Sequence, residues 1–83
     1  MKVVAEVSLY PLRTESLEEP IEAFCRALEA RGLELAPGAM STRVRGEPGE
    51  VFDGLKDAFE RVAAGHQVAV TIKVSNACPG CEA

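Results

Sequence analysis

The sequence predicts an α+β domain, an antiparallel four-stranded sheet with both helices on one face. Three observations carry that expectation. The run from Gln67 to Asn76 alternates Val68, Val70, Ile72 and Val74 with smaller or polar residues, the period-two pattern of a strand with one buried face. Two other stretches space their apolar residues three and four apart, as amphipathic helices do. Gly and Pro punctuation between them leaves room for three further strands.

Val3 to Tyr10 reads as the first strand. Val3, Ala5, Val7 and Leu9 form one face, and Val4, Glu6, Ser8 and Tyr10 the other; Pro11 removes a backbone donor and is expected to end the pairing. Thr14 to Arg31 carries the first helix. Its entry is either a capping box, Ser16 with Glu19, or the Glu18-Glu19-Pro20 start, and its stripe is Ile21, Phe24, Cys25 and Leu28. Gly32 suits the left-handed position beyond the last turn, with Leu33 as its apolar follower. Leu33-Glu34-Leu35 is a short strand, Pro37-Gly38 a turn, and Met40 to Gly46 a strand with Met40, Thr42 and Val44 on one face. Pro48 and Glu50 open a second helix with the series Phe52, Leu55, Phe59 and Val62, closed by Gly65. Gly54 inside that helix costs about 1 kcal/mol relative to Ala, which points to close packing there. The final strand follows.

With right-handed crossovers this β-α-β-β-α-β order gives the split-βαβ, ferredoxin-like plait, strand order 4-1-3-2. Residues 1–77 are expected to form one ligand-binding domain, and 78–83 a tail carrying Cys78-Pro79-Gly80-Cys81. The 83 residues hold one core, and a 47% apolar, 27% charged composition is that of a folded chain. A net charge of −4 opposes the basic footprint of nucleic-acid binding. Glu6 interrupts the first apolar run and no run reaches the ~20 residues of a membrane span, so no membrane insertion is expected. Three cysteines, an odd number, fit a reducing compartment, and the expected location is cytoplasmic.

Three places hold more polar chemistry than the fold needs. Thr42 is the one polar residue on the inward face of the long strands; it reads as a core threonine bonded to a carbonyl or as a ligand contact. Ser8, Tyr10 and Ser41 cluster on the helix-free face, where Glu6 lies between Arg43 and Lys73. The bland reading there is a cross-strand charge ladder. Tyr10 and Glu6 also supply the aromatic face and carboxylate that a flat cation favours. The third place is the tail. A redox pair needs a depressed thiol pKa, which Glu82 beside Cys81 opposes. A zinc site needs two further ligands, available only from a second subunit; otherwise the tail is inert. His66 reads as a turn residue. No catalytic constellation and no cofactor are implied, so the chain reads as a non-enzyme. The apolar character of Val4, Tyr10 and Ala69 on the helix-free face predicts a homodimer or homotetramer.

The phrases Val7-Ser8-Leu9-Tyr10-Pro11-Leu12, Gly38-Ala39-Met40-Ser41-Thr42, Val51 to Phe59 and Val74-Ser75-Asn76-Ala77-Cys78-Pro79 occur in this order. Together they resemble the YkoF-like family of thiamine- and hydroxymethylpyrimidine-binding proteins, over about Val3 to Pro79. The resemblance implies a ferredoxin-like fold and binding of thiamine or its pyrimidine half without turnover, in vitamin transport or salvage. The namesake carries two such repeats where this chain has one, so an oligomer would recreate that arrangement; Cys81 lies outside the family phrase. Ser41 and Thr42 are the first residues the resemblance puts at the ligand, then Tyr10, Ser8 and Glu6 by face and position. Asn76 belongs to a family phrase but lies at the other end of the sheet. The alternative is a structural oligomer, with or without an intersubunit zinc site at the CxxC, that binds no vitamin.

Overall fold

A computed structural model describes residues 1–77. The elements are β1 (Val3–Leu12), α1 (Glu18–Glu29), β2 (Glu34–Pro37), β3 (Thr42–Gly46), α2 (Pro48–Ala63) and β4 (Gln67–Ser75). The sheet runs β2-β3-β1-β4 with every neighbouring pair antiparallel, so the chain has the expected ferredoxin-like α+β fold. The expected CxxC, Cys78 to Cys81, lies outside the described residues.

Alternation on β1 sets the layers. Val3, Ala5 and Val7 are buried under the helices, with Glu6 and Tyr10 exposed on the opposite face. Val44 of β3 lies opposite Ala5 and is fully buried. The helices close the core with Phe24, Ala27 and Leu28 from α1 and Val51, Leu55, Ala58 and Val62 from α2. Gly32 takes φ +79°, the left-handed turn expected there, and delivers the buried Leu33 against Gly54 of α2 and Gly46 of β3.

Several local expectations are corrected. Pro11 does not end β1. The strand runs on to Leu12, pairing with β4, and Pro11 is tolerated because β3 reaches no farther along β1 than Val7, leaving that side without a ladder to break. The Ser16–Glu19 capping box does not form. Helix α1 starts at Glu18 with no side-chain cap, and Ser16 instead exchanges hydrogen bonds with Thr14: its N–H donates to Oγ1 and its carbonyl accepts from the hydroxyl. Strand β3 starts at Thr42, and Met40 is 89% exposed in the hairpin loop rather than on the inward face.

Both helix stripes are rotated from their expected faces. In α1 the buried line is Pro20, Phe24, Ala27 and Leu28, which moves Ile21 and Cys25 to its flank. In α2 the small residues Gly54 and Ala58 face inward while Phe52 and Phe59 are exposed. Space decides this. A Cβ on Gly54 would stand 2.7 Å from Leu33 Cδ1 and 3.4 Å from Leu28 Cδ2, so any larger residue there requires the Leu33 side chain to shift.

Candidate functional site

The two central strand pairs are of unequal length. On one side β1 pairs with β4 as far as Leu12–Gln67; on the other it pairs with β3 only as far as Val7–Thr42. Beyond Val7, the β3-facing edge of β1 has no strand partner among the described residues. The β2–β3 hairpin turns at the same place, closed by the Gly38 N–H donating to the Ser41 carbonyl at 2.8 Å. Ser8 Oγ donates to the Met40 carbonyl at 3.3 Å and ties the loop to β1. The first two turns of α1 form the roof.

These pieces enclose a half-open cavity of about 220 Å³ lined by Val7, Ser8 and Leu9 from β1, Ile21, Phe24 and Cys25 from α1, and the stretch from Gly38 to Thr42. None of the lining side chains is charged. Hydroxyls of Ser8, Ser41 and Thr42, the unpaired strand edge and the Cys25 thiol supply its polarity; Phe24, Ile21, Val7 and Leu9 supply apolar wall. Thr42 is half-buried and its hydroxyl lies beside the Cys25 thiol, where it favours the thiolate. Burial pushes the Cys25 thiol up from its ordinary value, against the opposing Thr42 hydrogen bond and reinforced by the nearby Glu29 carboxylate. The thiol is therefore protonated at neutral pH, a neutral donor and acceptor beside a neutral hydroxyl.

The structure brings three of the sequence-selected residues together at this cavity: Ser8, Ser41 and Thr42. Tyr10 is 53% exposed on the helix-free face and does not line it. Glu6 has the expected neighbours, Arg43 on β3 and Lys73 on β4, but no ion pair joins it to either among the described residues. Asn76 is exposed just past Ser75, which pairs with Val4, so it lies at the opposite end of the sheet. The sequence reading missed Cys25, Ile21 and Leu9 as lining residues. Ile21 and Cys25 are spaced i, i+4, one flank of a helix, and their spacing was legible as a stripe but not as a cavity wall.

A second cavity, of about 240 Å³, opens at the far end of the sheet between Lys2, Arg31, Arg45, Glu34, Glu47 and Glu50. Both signs of charge meet there, and Glu47 already pairs with the chain's amino terminus at 3.5 Å and with Lys2 at 3.9 Å. That mixed, solvated rim has far less apolar wall for a ring to stack on. Among the described residues no group of His, Cys, Asp and Glu is arranged to hold a metal ion. No helix among them is long and apolar enough to cross a membrane.

A two-layer fold with an uncharged, hydroxyl-edged cavity at one end has the character of a small-ligand site. Its family is shown by sequence. The chain belongs to the thiamine-binding protein family, whose model matches residues 5–77. A hypothetical protein from Methanocaldococcus jannaschii is 28% identical with a TM-score of 0.81, over 89% of this chain and 78% of that one. A Thermotoga maritima protein assigned provisionally to thiamine biosynthesis or salvage is 21% identical, with a TM-score of 0.79 over 89% and 82% of the two chains. A Bacillus cereus domain of unknown function is 24% identical, TM-score 0.79, over 90% and 75%. The last two likenesses establish the fold alone. A search of curated protein sequences returns no match.

Proposed function

We propose that this chain binds thiamine without transforming it, seating the aminopyrimidine half in the cavity beneath α1. The observation that carries the reading is the lining itself. About 220 Å³ is smaller than the ~300–1,000 Å³ of a pocket that engulfs a drug-sized molecule, so it suits one heteroaromatic ring and not the whole two-ring vitamin. An uncharged lining suits the neutral pyrimidine. A thiazolium would face an unpaired desolvation cost inside and belongs at the open mouth, in water. Phe24 and Ile21 offer the flat apolar wall, while Thr42, Ser41, Ser8 and the free β1 edge offer donors and acceptors for ring nitrogens and the exocyclic amine.

Ser41 and Thr42 make the ring contacts in this reading, with Ser8 holding the loop that carries them. Tyr10, Glu6 and Asn76 have no contact with the pyrimidine. Family membership supports binding as the role, and vitamin transport or salvage in the cytoplasm is the setting we infer from it. Calorimetry with thiamine and with hydroxymethylpyrimidine alone tests the reading. Both should bind, with affinities within about tenfold, since the pyrimidine supplies most contacts. Ligand at 100 times its dissociation constant should add about 2.7 kcal/mol of stability. Absence of heat and of any thermal shift at millimolar ligand would overturn it, and binding of thiamine but not of the pyrimidine would overturn the orientation.

A further inference from the structure

The cavity beneath α1 has a fixed inner wall and an unfinished mouth. Phe24 and Val7 are each 3% exposed and packed into the core, so that wall has no room to move. Two other lining side chains reach into water, Ile21 from α1 at 39% exposure and Met40 from the hairpin loop at 89%. Being both lining and exposed, these two stand at the mouth.

Met40 is the most exposed large apolar side chain among the described residues. Leaving it in water forfeits the burial that such a side chain ordinarily contributes. Its backbone, by contrast, is held from two directions. Ser8 Oγ donates to the Met40 carbonyl at 3.3 Å, and the Gly38 N–H closes the loop on the Ser41 carbonyl at 2.8 Å. The turn is tight enough that a Cβ on Gly38 would stand 2.9 Å from that carbonyl oxygen. A pinned backbone with a free side chain confines motion to the χ angles. Methionine suits that task, being unbranched and freely rotating, with a polarisable sulfur that makes favourable contacts with aromatic rings.

We propose that Met40 is the outer wall of the ligand site: on binding, its side chain swings from water across the mouth and lays its thioether on the outward face of the ring, with Ile21 completing the cover. This rests on the reading that a planar heteroaromatic ring occupies the cavity. It makes flatness a criterion of selection, because a fixed apolar wall then holds one face of the ring and Met40 the other. Ser8 becomes a positioning residue, since its hydrogen bond sets the point from which the clamp swings. The same geometry makes Met40 a chemical reporter. Hydrogen peroxide oxidises an accessible thioether: a sulfur lone pair takes one peroxide oxygen, the O–O bond breaks, and the other oxygen leaves as water with both hydrogens, giving the sulfoxide. The other methionine of the chain, Met1, is 58% exposed at the far end of the sheet, where the amino terminus meets Glu47 at 3.5 Å, and serves as internal control.

Peroxide oxidation of the full chain, with and without saturating hydroxymethylpyrimidine, tests it by mass spectrometry of the two methionine-containing peptides. Oxidation of Met40 should slow severalfold with the pyrimidine present, and that of Met1 should not change. In calorimetry Met40→Ala should weaken pyrimidine binding about three- to tenfold, the worth of a sulfur–aromatic contact. Met40→Leu keeps the apolar cover and should bind close to wild type. Met40 packs on almost nothing without the ring, so Met40→Ala should melt with wild type and its weaker binding cannot come from misfolding. Equal oxidation of Met40 in the presence and absence of bound pyrimidine overturns the proposal, as does Met40→Ala binding as tightly as wild type. Either result leaves the pyrimidine in its cavity, because the wild-type heat of binding is still there. Absence of that heat overturns the pyrimidine reading itself, and the clamp with it.

Discussion

Gly54→Ala isolates the packing that orients α2, and its sign can be worked from the structure. In an isolated helix the change stabilises by about 1 kcal/mol, because alanine loses less backbone entropy on folding. Here the added Cβ would meet Leu33 Cδ1 at 2.7 Å. Leu33 must shift to admit it, and its other methyl lies against Gly46, where a Cβ would stand 2.8 Å away, so the side chain packs between the two glycines. Overpacking of a buried site costs about 1–3 kcal/mol. The net expectation is a loss of about 0–2 kcal/mol, and in a domain of this size each kcal/mol lowers the Tm by roughly 4–8 °C. Leu33→Val removes both obstructing methyls at a cost of about 1 kcal/mol of its own. In that background Gly54→Ala should become stabilising, so a double-mutant cycle read by chemical denaturation should give about 1–3 kcal/mol of coupling. A rise in Tm for Gly54→Ala alone, or coupling below about 0.5 kcal/mol, would refute that packing.

Leu28, fully buried between helix and sheet, should cost about 2–5 kcal/mol when truncated to Ala, measurable by urea unfolding; a loss under 1 kcal/mol would contradict its place in the core. Cys25 makes stability pH-dependent with a definite sign. Its folded pKa lies above the ordinary 9.0, so the folded chain keeps a proton the unfolded chain loses, and stability falls as pH rises through 9 and upward. Cys25→Ala should flatten that fall, and an unchanged slope would show that the thiol is not buried as described. Thr42→Val should weaken pyrimidine binding about fivefold, the equivalent of one hydrogen bond of about 1 kcal/mol, by calorimetry. Unchanged affinity would remove its hydroxyl from the site. Ser8→Ala should leave the fold intact and raise hydrogen exchange at Gly38, whose N–H closes the loop; unchanged exchange would mean that the Ser8–Met40 bond does not hold it.

The sheet was legible because strand alternation has only two phases. Once Ala5 and Val7 point inward, Glu6, Ser8 and Tyr10 must point out, and the register with β3 and β4 follows. Helix faces were harder to read. Hydrophobicity ranks Phe52 and Phe59 above Gly54 and Ala58, but the space beside Leu33 and Leu28 favours the smaller residues, and three-dimensional closeness leaves no mark on a helical period. The same limit applies to the site. Strand order puts Ser8, Ser41 and Thr42 at one end of the sheet, but alternation assigns Thr42 to the inner face and the two serines to the outer one, and only the structure shows all three lining one cavity. Cys25 and Ile21 read as core, since a residue lining a cavity has the same apolar character as one packed solid. Pro11 read as a stop, because the shortfall of β3 that makes it harmless is a matter of pairing length rather than of composition. Tyr10 and Glu6 read as residues of the helix-free face and are exposed there, apart from the lining of this cavity.

The measurement that bears most directly on the central claim is a map of amide chemical shifts on adding hydroxymethylpyrimidine. The account predicts shifts concentrated at Val7 to Leu9, at Ile21 to Cys25 and from Gly38 to Thr42, with Lys2, Arg31 and Glu50 at the far cavity unmoved. Shifts centred on that far cavity or on the helix-free face around Tyr10, or none at saturating pyrimidine, would contradict it.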